Sequence, residues 1–194
     1  MVQSLSVDEQ QRRVMYLKPS EIDVLLTHTR TLREKGFALL LYELGCTLKE
    51  LVSIRVRDLD CENRCVRIPR PRKSGRCERI SHFSDEGRAI VLRMLDEQKI
   101  GDKKLAYLFS SSHGGHITVR RATQVLANLI RRAGFEERAH PQVLKYSHII
   151  NAYRKGVSVA AIRNQTGLTK QRLIAVLLEL EQDSVEGYGG FFGN

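Results

Sequence analysis

The chain has 194 residues, 42% hydrophobic and 28% charged, so it can bury a core and is not an intrinsically disordered protein. Its longest apolar run, residues 37–42, is too short to cross a bilayer, and its first residues lack a secretion-signal pattern, which predicts a cytoplasmic protein. The 32 Lys and Arg outnumber the 22 Asp and Glu, and this net charge of +10 favours a polyanionic partner such as nucleic acid.

The first quarter of the chain predicts helices. Residues 1–15 are polar and lack periodicity, so we expect a flexible N-terminal arm. A proline and an early acid then suit a helix start, and an apolar stripe predicts a helix over about 20–35 that Gly36 ends. Residues 37–44 are apolar on nearly all sides, as in a buried central helix, and Gly45 is placed to end it.

A short helix is predicted over 47–54, and the period of the pattern then changes to two. Residues 65–82 alternate apolar and basic side chains around a polar turn at Lys73, which predicts a β-hairpin. Pro69 and Pro71 cannot donate to a strand ladder, so they predict an edge or an irregular hairpin tip.

The rest of the chain again has helical periodicity. Ser84 is the expected N-cap of the first of these helices, and the second is strongly amphipathic. The predicted helices cover 84–98, 118–133, 141–155, 158–166 and 169–182. The fold class is therefore mostly α with a small antiparallel β-sheet (α+β), in one domain at 16–182 followed by a Gly-rich aromatic tail at 183–194.

Five motifs, carried in this order by four stretches of the chain, resemble the C-terminal catalytic domain of the tyrosine recombinases, the phage integrase family. Residues 39–60 resemble the segment with the first catalytic Arg, and the hairpin at 67–81 resembles the one that carries a catalytic Lys. Residues 119–135 resemble the helix that follows, and 140–168 resemble the His-x-x-Arg helix with its later Gly-His turn. The resemblance covers about residues 16–180 and implies the recombinase catalytic-domain fold and binding to double-stranded DNA.

The residues at the family's catalytic positions depart from its pattern. The family's chemistry needs a tyrosine nucleophile and cationic groups that stabilise charge on the scissile phosphate. The first Arg is replaced by Thr47, and the His-x-x-Arg pair is replaced by Gln142 and Lys145. Because Lys keeps the charge and Gln can donate, these two could still hold phosphate oxygens.

The later catalytic positions are lost as well. The His of the Gly-His turn is replaced by Leu168, and Leu177 stands at the nucleophile position on an apolar helix stripe. In this register only Lys73 and Glu50 keep their expected places. We therefore predict a pseudo-recombinase with no catalytic residue, which binds DNA but does not cut it.

Three basic clusters are predicted to contact DNA. They are the hairpin tip, the amphipathic helix at 118–133, which by resemblance lies in the major groove, and the start of the last helix. The last helix also fits the second helix of a helix-turn-helix, so two docking geometries remain open. The predicted DNA-contacting residues are Arg70, Arg72, Lys73, Arg76, Arg120, Arg121, Gln124, Asn128, Arg131, Gln142, Lys145, Lys170, Gln171 and Arg172.

The predicted function is sequence-specific binding of double-stranded DNA, as a nucleoid-associated transcriptional regulator of a plasmid, phage or integrative element. A homodimer through the aromatic tail is expected, because a single lobe without the family's N-terminal domain would grip few phosphates. The first alternative is an active or partner-completed recombinase, and the second is an architectural or replication-initiation protein. No cofactor, metal or small-molecule ligand is predicted, since Cys61, Cys65, Cys77 and His82 lack zinc-site spacing.

Overall fold

A computed structural model describes residues 14–72, 75–98, 104–112 and 115–178. For residues 70–72 and 75–77 it describes the backbone only. Lys73, the tail at 183–194 and all of the predicted arm except its last two residues lie outside the described part. The helices are α1 (Pro19–Thr27), α2 (Leu32–Glu43), α3 (Leu48–Ser53), α4 (Asp85–Glu97), α5 (Val119–Arg132), α6 (Val143–Arg154), α7 (Val159–Thr166) and α8 over 170–178, and the strands are β1 (Leu59–Asp60), β2 (Cys65–Arg72) and β3 (Gly75–His82). The predicted fold class, mostly α with a small antiparallel sheet, is confirmed.

The three strands form one antiparallel sheet in the order β1-β2-β3. Side chains alternate between the faces of a strand, and here one face is buried. Val66 lies opposite Ser81 and Ile68 lies opposite Arg79, and all four of these side chains are buried. The buried face of the sheet therefore carries two polar side chains, Arg79 and Ser81, which take part in the candidate functional site.

The two prolines of β2 lie where the sheet is only two strands wide. β1 pairs only with Cys65 and Val66, whereas the β2–β3 ladder continues through Pro69 and Pro71. In the described part, no third strand lies alongside these prolines, so their missing N–H groups leave no ladder bond unmade on that side. The expected edge position is confirmed, and the hairpin is regular through both prolines.

Buried apolar side chains form two clusters that meet along α6. The larger one contains the inner faces of α1 to α5 and the sheet, together with Val143 and Leu144 from the start of α6. The smaller one joins the middle of α6 to α7 and α8 through Ile149, Ile162 and Leu173. None of the described helices combines the length and hydropathy needed to span a membrane.

The segment before α1 is tied to α6 by hydrogen bonds. The Leu17 N–H donates to Ser147 Oγ at 2.8 Å, and Asn151 Nδ2 donates to the Leu17 carbonyl oxygen at 3.0 Å. Leu17 itself is fully buried. Residues separated by 130 positions in sequence therefore close the fold.

The predicted helix end at Gly36 is wrong. The break falls at 28–31, where the Thr31 side chain caps α2 by accepting from the Glu34 N–H, and Gly36 lies inside α2. A Cβ at Gly36 would overlap Met94 Sδ and lie 2.9 Å from Ile90 Cγ2 on α4. Glycine is present here because two helices pack closely, which sequence periodicity alone does not reveal.

Replacing Gly36 with alanine is expected to lower the free energy of unfolding by about 1–3 kcal/mol, because the added methyl overpacks the α2–α4 contact. Urea denaturation monitored by far-UV circular dichroism measures the change. The matched test adds Met94→Ala, which removes the side chain that the methyl would strike. The double variant should lose less stability than the sum of the two single variants, and strict additivity would contradict the packing explanation.

Candidate nucleic-acid interface

Thr47, at the position of the family's first Arg, serves as the N-cap of α3. Its hydroxyl accepts from the Glu50 N–H at 3.2 Å and donates to the Glu50 carboxylate at 2.9 Å. The Thr47 N–H donates to the same carboxylate at 2.8 Å, completing a capping box. A helix of six residues depends strongly on such a cap, so Thr47 has a structural role at this position.

Glu50 also forms a largely buried ion pair with Arg79. Arg79 Nη1 contacts Glu50 Oε1, and the Arg79 side chain is 6% exposed. Burial by itself would raise the pKa of Glu50, but the hydrogen bond and charge of Arg79, with help from the Thr47 N–H and Lys145, lower it overall. The carboxylate therefore stays ionised, and the pair links α3 to β3. The sequence pattern alone does not single out Arg79 as a site residue.

Gln165 connects this pair to the end of α7 and was also missed. Its backbone carbonyl accepts from Arg79 Nε at 3.1 Å and from Ser81 Oγ at 2.8 Å. Its side-chain amide bonds both backbone groups of His82, at 2.9 and 2.8 Å, and donates to the Glu43 carbonyl at 2.9 Å. One amide thus holds β3, α2 and α7 together. The sequence around Gln165 carries no pattern that predicts this role.

Lys145 points into the molecule. Its side chain is buried, and its Nζ donates to the Thr166 carbonyl oxygen at 3.1 Å. The sequence predicts phosphate contact for both Lys145 and Gln142. In the structure only Gln142, exposed just before α6, lies at the open surface.

The last two degenerate positions are apolar in character. Leu168 is half-buried after Gly167, which ends α7 with a left-handed φ of 71°. Leu177 is 8% exposed and belongs to the smaller apolar cluster with Leu173 and Val176. Lys145 thus bonds Thr166, two residues before Leu168. Its charge acts on Glu50, which forms the α3 capping box with Thr47, whereas Leu177 packs into a core.

Cysteine offers no replacement nucleophile in this region. Cys46 is fully buried beside Thr47, and burial raises the pKa of its thiol to about 12. Among the residues that the structure describes, no three His, Cys, Asp or Glu side chains are grouped to hold a metal ion.

The exposed surface of α5 divides into two stripes. Arg120, Gln124 and Arg131 are exposed on its outer face. Arg121 and Asn128 lie on the neighbouring stripe and line a groove against the start of α2. The predicted contacts on this helix therefore face two different surroundings.

A second groove, of about 600 Å³, lies between β3 and the α7–α8 turn. Arg163 and Lys170 line it, close to Leu168. Lys170, Gln171 and Arg172 are all exposed at the start of α8, where the Thr169 hydroxyl accepts from the Arg172 N–H at 3.3 Å. The predicted helix-turn-helix contacts are thus available at the surface.

The predicted hairpin contacts lie only partly within the described structure. β2 and β3 remain paired as far as Arg72 and Gly75, so the backbone of Arg70, Arg72 and Arg76 lies in the last three pairs of the ladder. Lys73 and the side chains of Arg70, Arg72 and Arg76 lie outside the described part.

Comparison with known proteins identifies the class. The profile of the phage integrase family matches residues 15–175, and the chain belongs to this family. It is 24% identical over 156 residues to the tyrosine recombinase XerA of Saccharolobus solfataricus, a match that covers 80% of this chain and 49% of that protein. It is 27% identical over 139 residues to the tyrosine recombinase XerC of Staphylococcus epidermidis, covering 70% and 45%. The chain spans about half the length of these relatives.

Solved structures share the fold. A crystal structure of XerA recombinase superposes with a TM-score of 0.75 at 18% identity and covers 91% of this chain and 67% of that one. XerH recombinase bound to its palindromic difH substrate also superposes with a TM-score of 0.75, at 16% identity, covering 92% and 53%. The predicted resemblance and the catalytic-domain fold are therefore confirmed.

Proposed function

We propose that this chain binds double-stranded DNA at a specific sequence without cutting it and regulates transcription on a mobile element. The observation that carries the proposal is the use of the replacement residues within the fold. Thr47 caps a helix, Lys145 bonds an internal carbonyl, and Leu177 packs in an apolar cluster. None of these groups is arranged for attack on a phosphate or for charge stabilisation around one.

DNA as the partner is supported by family membership and by the charged surface. XerH was solved bound to a difH substrate, and it shares this fold. The outer stripe of α5 presents Arg120 and Gln124 side by side, and these residue types recognise guanine and adenine in the major groove. The net charge of +10 supplies attraction to the phosphate backbone.

Selection of bound duplexes from a random pool is the first experiment. At moderate salt we expect enrichment of one motif, and a two-fold repeat would support a dimeric regulator. Binding that fades with salt and enriches no motif would instead support the architectural alternative.

No covalent protein–DNA adduct is expected when the selected duplex carries a nick that would trap a cleaved intermediate. Denaturing electrophoresis with labelled DNA detects such an adduct, and a full-length tyrosine recombinase on its own nicked site is the positive control. An adduct that disappears when Tyr146, Tyr153 or Tyr188 is replaced with phenylalanine would overturn the proposal and establish an active recombinase. Repeating the assay with a cell extract tests completion by a partner.

A further inference from the structure

A groove of about 570 Å³ lies between the start of α2 and one stripe of α5. Phe37 and Phe109 lie beneath it, with their rings edge to face at 5.6 Å. The α5 side consists of residues 121, 125, 128 and 132, whose spacing puts them on one helix face. Four arginines from two parts of the chain line the groove: Arg30, Arg33, Arg121 and Arg132.

The groove contains more positive than negative charge. Glu34 is the one carboxylate among its lining residues, and its Oε1 lies 2.6 Å from Arg132 Nη2. Within the described part of the chain, Arg30, Arg33 and Arg121 form no ion pair. Four guanidinium groups against one carboxylate leave an excess of three positive charges, which repel one another unless an anion enters.

Two of these guanidinium groups are also poorly solvated. Arg33 Nη2 donates to the Ser110 carbonyl oxygen, and burial lowers the pKa of the Arg33 side chain. Arg132 Nε is buried and has no hydrogen-bond partner in the described structure. A buried donor without a partner, as at Arg132 Nε, marks a place where an added acceptor is stabilising.

We propose that this groove binds a small molecule that carries two or more phosphate groups. Its volume lies within the range of about 300–1,000 Å³ that small-molecule sites occupy. Guanidinium groups match phosphate oxygens with paired hydrogen bonds, which explains why arginine rather than lysine lines the groove. The groove adjoins the outer α5 stripe with Arg120 and Gln124, and two of its lining residues, Arg121 and Asn128, are also predicted DNA contacts, so the experiment has to separate a small molecule from DNA.

Inorganic pyrophosphate is the probe, and isothermal titration calorimetry at constant ionic strength is the measurement. We expect saturable binding of one pyrophosphate per chain. Arg121→Gln and Arg33→Gln should each weaken it at least tenfold. Arg120→Gln is the matched control, because it removes the same charge from the same helix outside the groove, and it should change the affinity less than twofold. Thermal unfolding verifies that each variant folds.

Three outcomes would overturn the proposal. The first is absence of saturable binding, and the second is an equal loss of pyrophosphate affinity in Arg120→Gln and Arg121→Gln. Either result would show that the arginines attract the anion only through their general positive charge and form no specific site. The third outcome is that the anion entering the groove is a backbone phosphate of DNA. If a duplex displaces pyrophosphate one for one, and Arg33→Gln weakens duplex binding as much as pyrophosphate binding, the groove is part of the DNA surface instead.

Discussion

Replacing Arg79 with methionine is expected to lower the free energy of unfolding by about 3 kcal/mol. The change leaves the Glu50 carboxylate mostly buried without its cation, and breaking buried ion pairs costs about 3–5 kcal/mol. We expect the lower end because Glu50 is still 22% exposed. Urea denaturation measures the loss.

A double-mutant cycle with Glu50→Gln assigns this loss to the pair. The glutamine side chain keeps one carbonyl oxygen that can accept from the Thr47 N–H and hydroxyl, so the cycle isolates the contact with Arg79. The double variant should recover about 1 kcal/mol or more relative to the sum of the single changes. Arg67→Met, on an exposed position of β2, is the control and should cost no more than about 0.5 kcal/mol. A similar loss in both arginine variants would show that the ion pair is not the cause.

Acid is expected to destabilise the protein through the buried imidazole of His148. Burial lowers the pKa of His148 to about 4, against an ordinary value of 6.5; a hydrogen bond with the Tyr42 backbone opposes this, and the nearby Lys145 charge adds to it. The unfolded chain therefore binds a proton at His148 first, and the free energy of unfolding falls as the pH drops through 6.5 and levels off below 4. The fall should reach about 2 kcal/mol between pH 7.5 and 5.

His148→Phe tests this origin, because phenylalanine fills a similar space and cannot titrate. Chemical denaturation at a series of pH values should show a shallower decline above pH 5 in this variant. His82→Phe makes the same substitution at an exposed position of β3 and controls for the added phenylalanine. If the wild-type slope survives in His148→Phe, another group is responsible. Loss from Glu50 follows only at lower pH, because its pKa is below the ordinary value of 4.5.

The order of elements could be predicted from the sequence, because caps and periodicity are local properties. Ser84 does cap α4, and the hairpin, α3 and α5 form where their patterns predict. Gly36 was misread because its reason lies on α4, which no local pattern shows.

Part of the candidate site could in principle also be predicted from the sequence. Thr47 and Glu50 have the spacing of a capping box, and alternation along β3 places Arg79 on the same face as Ser81. Charge distribution pointed to α5 as a binding helix. It could not predict which of its residues face α2 instead, since that depends on how the two helices pack.

The hydrogen bonds between Leu17 and α6 have a consequence for synthesis on the ribosome. Leu17 leaves the ribosome 130 residues before its partner Ser147. Until α6 has left the exit tunnel, the nascent chain carries the buried face of α2 and the segment before α1 without their partner. Long-range closure of this kind slows folding and exposes apolar surface meanwhile. We therefore expect the growing polypeptide to be a client for a chaperone that shields the segment from Leu17 to α5 until α6 has emerged.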